Sequence, residues 1–199
     1  ALLLAQLGVK NVTLIDPDVV ELFNLPRQPL FCEKDVAKPK VKVAMEALSE
    51  FNLTKFVPLQ EYLDKRNVAK LLSGCDVVLD CTDNYAARKA INDFCMEKRV
   101  PWIYCGAIKD VAMVSTIIPG KTPCFNCFAK KPVKEISCVE QGIVATTTAL
   151  AASLQVQELL NLLGEKPTLG GKMLHFNLSA LNFSVFPLQF SCKQCKKLF

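Results

Sequence analysis

Up to residue 107 the chain alternates between short apolar runs and longer stretches with helical spacing, and that alternation admits few folds. NVTLI at 11–15 has the β-branched composition of a strand and is bounded by turn residues. A long loop follows, and then Lys40 to Phe51 places Val41, Ala44, Met45 and Leu48 on one helical face. KFVPLQEY at 55–62 reads as a weaker strand, with Pro58 marking an edge, and 65–72 as a short helix closed by Ser73-Gly74. DVVLDC at 76–81 is a near-continuous apolar run of the kind found in buried parallel strands. Tyr85 to Arg99 reads as a helix with Thr82, Asp83 or Asn84 available as its cap, and PWIYCGA at 101–107 as a further strand. The expected fold class is α/β, a Rossmann-like doubly wound, mostly parallel sheet. Such sheets bind ligands beyond the carboxyl ends of their strands, where Asp16, Asp18, Asp83 and Asn84 fall.

After residue 107 the pattern changes. VAMVSTIIP at 111–119 begins only three residues later, too soon for a helical crossover, so this pair is expected to be antiparallel. A Cys-x-x-Cys, a Lys/Pro-rich loop and SCVEQG lead into a long helix, roughly 142–163, closed by Gly164. Strands KMLHFN (172–177) and NFSVFPL (182–188) precede a second Cys-x-x-Cys, so the C-terminal strands are antiparallel additions to the sheet. No repeat or low-complexity linker divides the chain, and residues 1–199 read as one domain. ALLLAQLG reads as the back half of a buried helix stopped by Gly8 and not as a signal peptide; the expectation is that a first strand and turn lie upstream of it.

The bulk numbers exclude several classes. With 51% hydrophobic and 22% charged residues, the composition is that of a soluble globular chain. The net charge of +5 is mild, and there is neither a basic helix nor a basic strand interleaved with aromatics, so nucleic acid is not an expected partner. The most apolar long stretch, GIVATTTALAASLQVQELL, carries three Thr, a Ser and two Gln, which argues against a membrane span.

Four of the ten cysteines form two pairs, Cys124/Cys127 and Cys192/Cys195. Cys-x-x-Cys lets one turn offer two thiolates, and two such pairs make a closed four-thiolate zinc site without an open coordination position, hence structural. A redox dithiol is the alternative for a single pair, but two matched pairs argue against it. The other six, Cys32, Cys75, Cys81, Cys95, Cys105 and Cys138, are scattered, several of them in apolar patterns where a free thiol packs as a small hydrophobe. A reducing, cytoplasmic setting follows.

A second constellation is dispersed. Asp16 ends the first strand, where a carboxylate can bond ribose hydroxyls or, before Pro17, simply form a turn. Arg27 and Lys40 follow at distances that could bring both to a phosphate, although Lys40 alone could equally be a solvated helix-start lysine. Asp83 could hold magnesium or cap the next helix. The single histidine, His175, sits in a strand pattern and reads as structural. An acid for ribose, two cations and a metal-binding acid together suggest a nucleoside triphosphate.

The ordered set DPDVVELFNLPRQ, KPKV, DCTDN, PCFNC, SCVEQGIV and CKQC, spanning nearly all 199 residues, resembles the ThiF/MoeB/HesA family, relatives of the ubiquitin-activating enzymes. The resemblance implies an adenylyltransferase that uses Mg-ATP to adenylate the C-terminal Gly-Gly of a ubiquitin-like sulfur carrier or modifier, in the molybdopterin, thiamine or modifier pathways. It implies Asp16 at the ribose, and Asn24, Arg27 and Gln28 as the N-L-x-R-Q segment, with Arg27 facing the phosphates. Lys40 would grip the phosphates, and Asp83, beside Asn84, would be linked to magnesium. Cys138 matches the cysteine that in some relatives bonds covalently to the activated carrier, and otherwise is a bystander. The resemblance further implies a homodimer, and the lack of a rhodanese domain in this sequence implies a separate sulfur donor. The family's glycine-rich turn would precede Ala1, so this stretch by itself is expected to bind ATP poorly. Two other readings stand beside it: an NAD-dependent oxidoreductase with structural zinc, which suits Asp16 but not Arg27, Lys40 and Asp83, and a non-catalytic docking protein.

Overall fold

A computed structural model describes residues 1–131 and 142–196, and Cys138 lies outside them. The chain forms two compact units, Ala1–Leu63 and Asp64–Phe199.

The first unit holds α1 (Leu2–Gln6), β1 (Asn11–Ile15), α2 (Lys40–Ala47) and β2 (Lys55–Leu59). β1 and β2 pair in parallel over their whole length, from Asn11↔Lys55 to Ile15↔Leu59. Leu4, Ala5, Val20, Val41, Ala44 and Leu48 are buried between these elements. Gly8, just past α1, has φ +68, a conformation that glycine reaches without strain. α2 ends at Ala47 and not near Phe51, because Ser49 Oγ donates to the Glu46 carbonyl at 2.7 Å and so competes with the helical ladder. β2 likewise stops at Leu59.

Between β1 and α2 runs a long excursion holding two 3-10 turns, Leu22–Asn24 and Glu33–Asp35. It is no open loop. The Val20 amide donates to Lys38 O at 2.8 Å, Ala37 to Val20 O at 2.9 Å, and Lys40 to Asp18 O at 3.0 Å. These bonds return the chain to the end of β1.

The second unit holds α3 (Val68–Leu71), β3 (Val78–Leu79), α4 (Tyr85–Lys98), β4 (Trp102–Ile108), β5 (Val111–Ile117), α5 (Phe125–Phe128), α6 (Ala145–Leu163), β6 (Lys172–Asn177), β7 (Asn182–Pro187) and α7 (Lys193–Lys196). The five strands lie in the order β3-β4-β5-β6-β7. β3 and β4 are parallel, and the remaining pairs are antiparallel, beginning with the expected β4–β5 hairpin. The α/β class holds, with the parallel pairing divided between two sheets. α6 packs on β4 and β5, and Trp102, Ile103, Val114, Ile117 and Phe176 fill the core.

In this unit α3, β3 and α6 differ from the sequence reading, each for a reason seen in its hydrogen bonds. α3 starts at Val68 because Asp64 and Asn67 form a side-chain-to-backbone turn ahead of it, the Asp64 amide donating to Asn67 Oδ1 at 2.9 Å. β3 is only Val78–Leu79: the Asp80 amide still donates to Ile103 O, but the Asp80 carbonyl is taken by Gln155 Nε2 of α6 at 2.8 Å. α6 starts at Ala145 because residues 142–144 bridge to Lys109, which donates to Gly142 O and accepts from the Val144 amide. β7, at the sheet edge, exposes all six residues, Phe183, Val185 and Phe186 among them.

Candidate functional site

In the first unit, the carboxyl end of β1 gathers one acid pair and one cation. Asp16 Oδ1 accepts the Asp18 amide at 2.9 Å, a short turn that re-aims the chain after the strand. The Asp18 carboxylate in turn meets Lys40 Nζ at 2.8 Å. Lys40 is 8% exposed, whereas the Asp18 side chain is mostly in solvent. A lysine so buried requires a charge partner. The backbone bonds closing the 18–40 excursion supply it by bringing the start of α2 back to Asp18.

Asn24 is a buried residue within the same excursion. Its Oδ1 accepts the Glu21 amide at 3.0 Å, and its carbonyl accepts the amides of Arg27 and Gln28. It therefore sets the turn that presents those two side chains. The Arg27 guanidinium lies over the Phe23 ring, 5.3 Å from its centroid, and donates to the Phe23 carbonyl. Gln28 Oε1 is buried and has no hydrogen-bond donor among the described residues. An unmet buried acceptor is costly in a finished structure and is the kind of atom a bound hydroxyl or amine would satisfy.

In the second unit, Asp83 and Asn84 sit between β3 and α4. Asn84 caps α4, its Oδ1 accepting the Ala87 amide at 2.8 Å, which settles the three-way choice of cap. Asp83 is exposed, and its carboxylate receives Asn84 Nδ2 at a long 3.5 Å. Beneath this turn lies an ion pair that the sequence reading did not single out. Asp80, 1% exposed, accepts Arg88 Nε at 3.1 Å, the Thr82 amide at 2.8 Å and Thr82 Oγ at 2.7 Å. Arg88 also donates to the carbonyls of Thr82 and Cys105 and lies over the Tyr104 ring. Burial pushes the Asp80 carboxyl up, and the Arg88 charge and the Thr82 donors pull against it. The only sequence hint was an aspartate inside an otherwise apolar run, eight residues before an arginine in the next helix.

The four paired cysteines come together. The Sγ atoms of Cys124, Cys127, Cys192 and Cys195 all lie within 4.8 Å of one another, with Cys124–Cys192 at 3.5 Å and Cys127–Cys195 at 3.6 Å. A tetrahedral ion with metal–sulfur bonds of about 2.3 Å sets its sulfurs roughly 3.8 Å apart. The donor set therefore fits a closed four-thiolate site and could hold such an ion. Burial pushes the Cys195 thiol up to about 11. Cys127 is also raised by burial, but backbone donors around Ser191 and Cys192 bring it down to about 6. Ser191 Oγ donates to the Cys127 carbonyl, so the two turns are joined by more than sulfur.

Comparison with known proteins gives this geometry its context. Residues 1–197 match the ThiF family. The chain belongs to the ThiF family. Among its relatives are a molybdopterin-synthase adenylyltransferase of Escherichia coli, 34% identical over 96% of this chain and 80% of that protein, and a SAMP-activating enzyme E1 of Haloferax volcanii, 31% identical over 92% of this chain and 70% of that protein. Bacillus subtilis contributes a sulfur carrier protein ThiS adenylyltransferase, 31% identical over 81% of this chain and 49% of that protein. In fold, the ThiF-family chain superposes on the crystal structure of Escherichia coli MccB with ATP at a TM-score of 0.84, with 25% identity, covering 98% of this chain and 61% of that one. It thus spans about three fifths of that solved structure. No helix among the described residues is long and apolar enough to cross a membrane.

Proposed function

We propose that this protein adenylates the C-terminal Gly-Gly carboxylate of a ubiquitin-like sulfur carrier or modifier, using ATP. The observation that carries the reading is the buried Lys40 paired with Asp18, two residues past Asp16 at the end of β1, in a chain whose relatives are named adenylyltransferases. Asp16 bonds the ribose, and the unmet Gln28 acceptor fits a donor from the nucleotide or its partner. Asn24 acts by holding the turn of Arg27 and Gln28.

In the reaction a carboxylate oxygen of the carrier bonds to the α-phosphorus, the bond to the bridging β-phosphate oxygen breaks, and pyrophosphate leaves with that electron pair. The attacking carboxylate is ionised at neutral pH, so no general base is needed. Charge gathers on the phosphate oxygens, and Arg27 and Lys40 neutralise it, Lys40 exchanging Asp18 for phosphate as ATP arrives. Asp83, exposed and beside Asn84, suits a magnesium-linked carboxylate; magnesium would supply further charge neutralisation at the departing pyrophosphate. Zinc held by Cys124, Cys127, Cys192 and Cys195 would supply rigidity and take no part in the chemistry. Cys138 is the candidate thiol for any covalent carrier intermediate. A homodimer, a separate sulfur donor, a cytoplasmic setting and a single domain over residues 1–199 belong to the same reading.

ATP–pyrophosphate exchange tests it on the chain extended by the upstream glycine-rich turn, with candidate Gly-Gly carriers added one at a time and Asp83→Ala as control. Carrier-dependent exchange that vanishes in the control is expected. ATP binding without exchange under any carrier would point to a different acyl acceptor, and no ATP binding would favour the docking-protein alternative.

A further inference from the structure

Asn92 is a polar residue in the third turn of α4, a position where asparagine is unfavourable for a helix and expensive to bury. It is nonetheless 0% exposed. Its Oδ1 accepts the backbone amide of Phe125 at 2.9 Å, the residue that follows Cys124 and opens the first cysteine turn. The contact does not stand alone. Asn92 Nδ2 reaches Asp93 Oδ1 at 3.4 Å, and Asn126 Nδ2 reaches the same oxygen at 3.5 Å. Asn126 then donates to Gln194 Oε1 at 3.0 Å, inside the second cysteine turn. Tyr85, in the first turn of α4, sets its ring 5.5 Å from that of Phe125. One helix thus grips the first cysteine turn at two heights, and that turn grips the second.

We propose that Asn92 is a positioning residue for the four-cysteine site: by accepting the Phe125 amide it holds the Cys124–Cys127 turn against α4 before metal arrives, making it a preformed half-site. The proposal rests on the zinc reading of those cysteines. Its physical content is a saving in ordering entropy. A turn already fixed by a buried hydrogen bond loses less freedom when two of its sulfurs take up an ion, and holds the ion longer. Without the acceptor, the Phe125 amide is left buried and unpaired, and the turn relaxes to find another partner.

The test uses the zinc-loaded chain challenged with excess chelator, the released metal being followed by a colorimetric indicator. Asn92→Leu removes the acceptor at similar volume, and zinc release is expected to be roughly 10–100-fold faster than in the wild type, the range seen when outer-shell partners of metal ligands are removed. Asn92→Asp keeps the acceptor oxygen but loses the donor to Asp93 and buries a charge beside it, so its release is expected to fall between wild type and Asn92→Leu. Cobalt substitution should show the same four-thiolate absorption in all three, because the ligands are unchanged. Equal release from Asn92→Leu and wild type overturns the proposal. A wild-type chain that takes up no stoichiometric zinc removes the zinc reading first, a distinguishable failure. Should Asn92→Leu not fold, hydrogen exchange of the wild-type Phe125 amide after chelator stripping decides the matter: continued protection is expected, and exchange at the rate of an unstructured amide overturns the preformed half-site.

Discussion

Replacing Asp80 by alanine isolates the ion pair beneath the Asp83 turn. The substitution strips three donors of their acceptor at once: Arg88 Nε, the Thr82 amide and Thr82 Oγ. Thr82 sits at an intermediate depth where water could reach it, but the Arg88 side chain is only 16% exposed and keeps its charge. Breaking a buried pair from one side costs about 3–5 kcal/mol, because the remaining charge is left uncompensated. With a urea slope of about 2 kcal/mol per molar, the midpoint should fall by roughly 2 M. The decisive comparison is Asp80→Ala/Arg88→Met, which removes both charges and leaves an apolar stem over Tyr104. If the pair is what matters, the double variant is more stable than Asp80→Ala alone, and the cycle gives a coupling of at least about 1 kcal/mol. Additive effects within about 0.5 kcal/mol, or an Asp80→Ala cost below about 1 kcal/mol, would refute the reasoning.

Glu158 in α6 is nearly buried and accepts from Thr116 Oγ, Asn161 Nδ2, the Thr168 hydroxyl and the amides of Thr168 and Leu169. Burial alone would raise its carboxyl, yet these donors hold it below the ordinary value. A depressed carboxyl contributes stability above the unfolded pKa of about 4.3 and loses it as pH falls through the folded value, so urea midpoints between neutral pH and acid should fall more steeply in the wild type than in Glu158→Gln. Gly106→Ala should destabilise by about 1–3 kcal/mol in thermal melts, because the added Cβ would lie 2.6 Å from the Tyr104 hydroxyl and force that ring off Arg88. Lys40→Met should cost less than about 1 kcal/mol in stability, since Asp18 stays solvated, while lowering ATP–pyrophosphate exchange by roughly 100-fold or more.

The residues most legible in the sequence were those whose signal is local. NVTLI and KMLHFN became strands with the expected bounds, because β-branched or alternating residues between turn signals need no partner to be read. The Cys-x-x-Cys pairs converged as expected, since each pair carries its own geometry. The antiparallel β4–β5 hairpin followed from the shortness of its connection. What stayed hidden was set by partners distant in sequence. Asp80 in DVVLDC could not be told from a strand-end acid until Arg88 lay beside it. Asn92 looked like an ordinary helix residue until Phe125 presented its amide. Gln155 and Glu158 looked like polar positions on a helix that in fact buries them against β3, β4, β5 and the loop before β6. The closure of the 18–40 excursion, which carries Lys40 to Asp18, depends on main-chain bonds that no side-chain pattern announces.

The cysteine turns lie 68 residues apart, and this separation gives the site a place in time as well as in space. During synthesis Cys124 and Cys127 emerge long before Cys192 and Cys195, with α6 and the β6–β7 hairpin in between. Bringing the two turns together in an unstructured chain would cost roughly 4 kcal/mol in loop-closure entropy alone. The intervening helix and hairpin, once formed, shorten the free chain between the turns and so remove most of that cost. A metal held there would act as a clasp between turns that synthesis delivers far apart, and a chain interrupted before Cys192 could close only half of it.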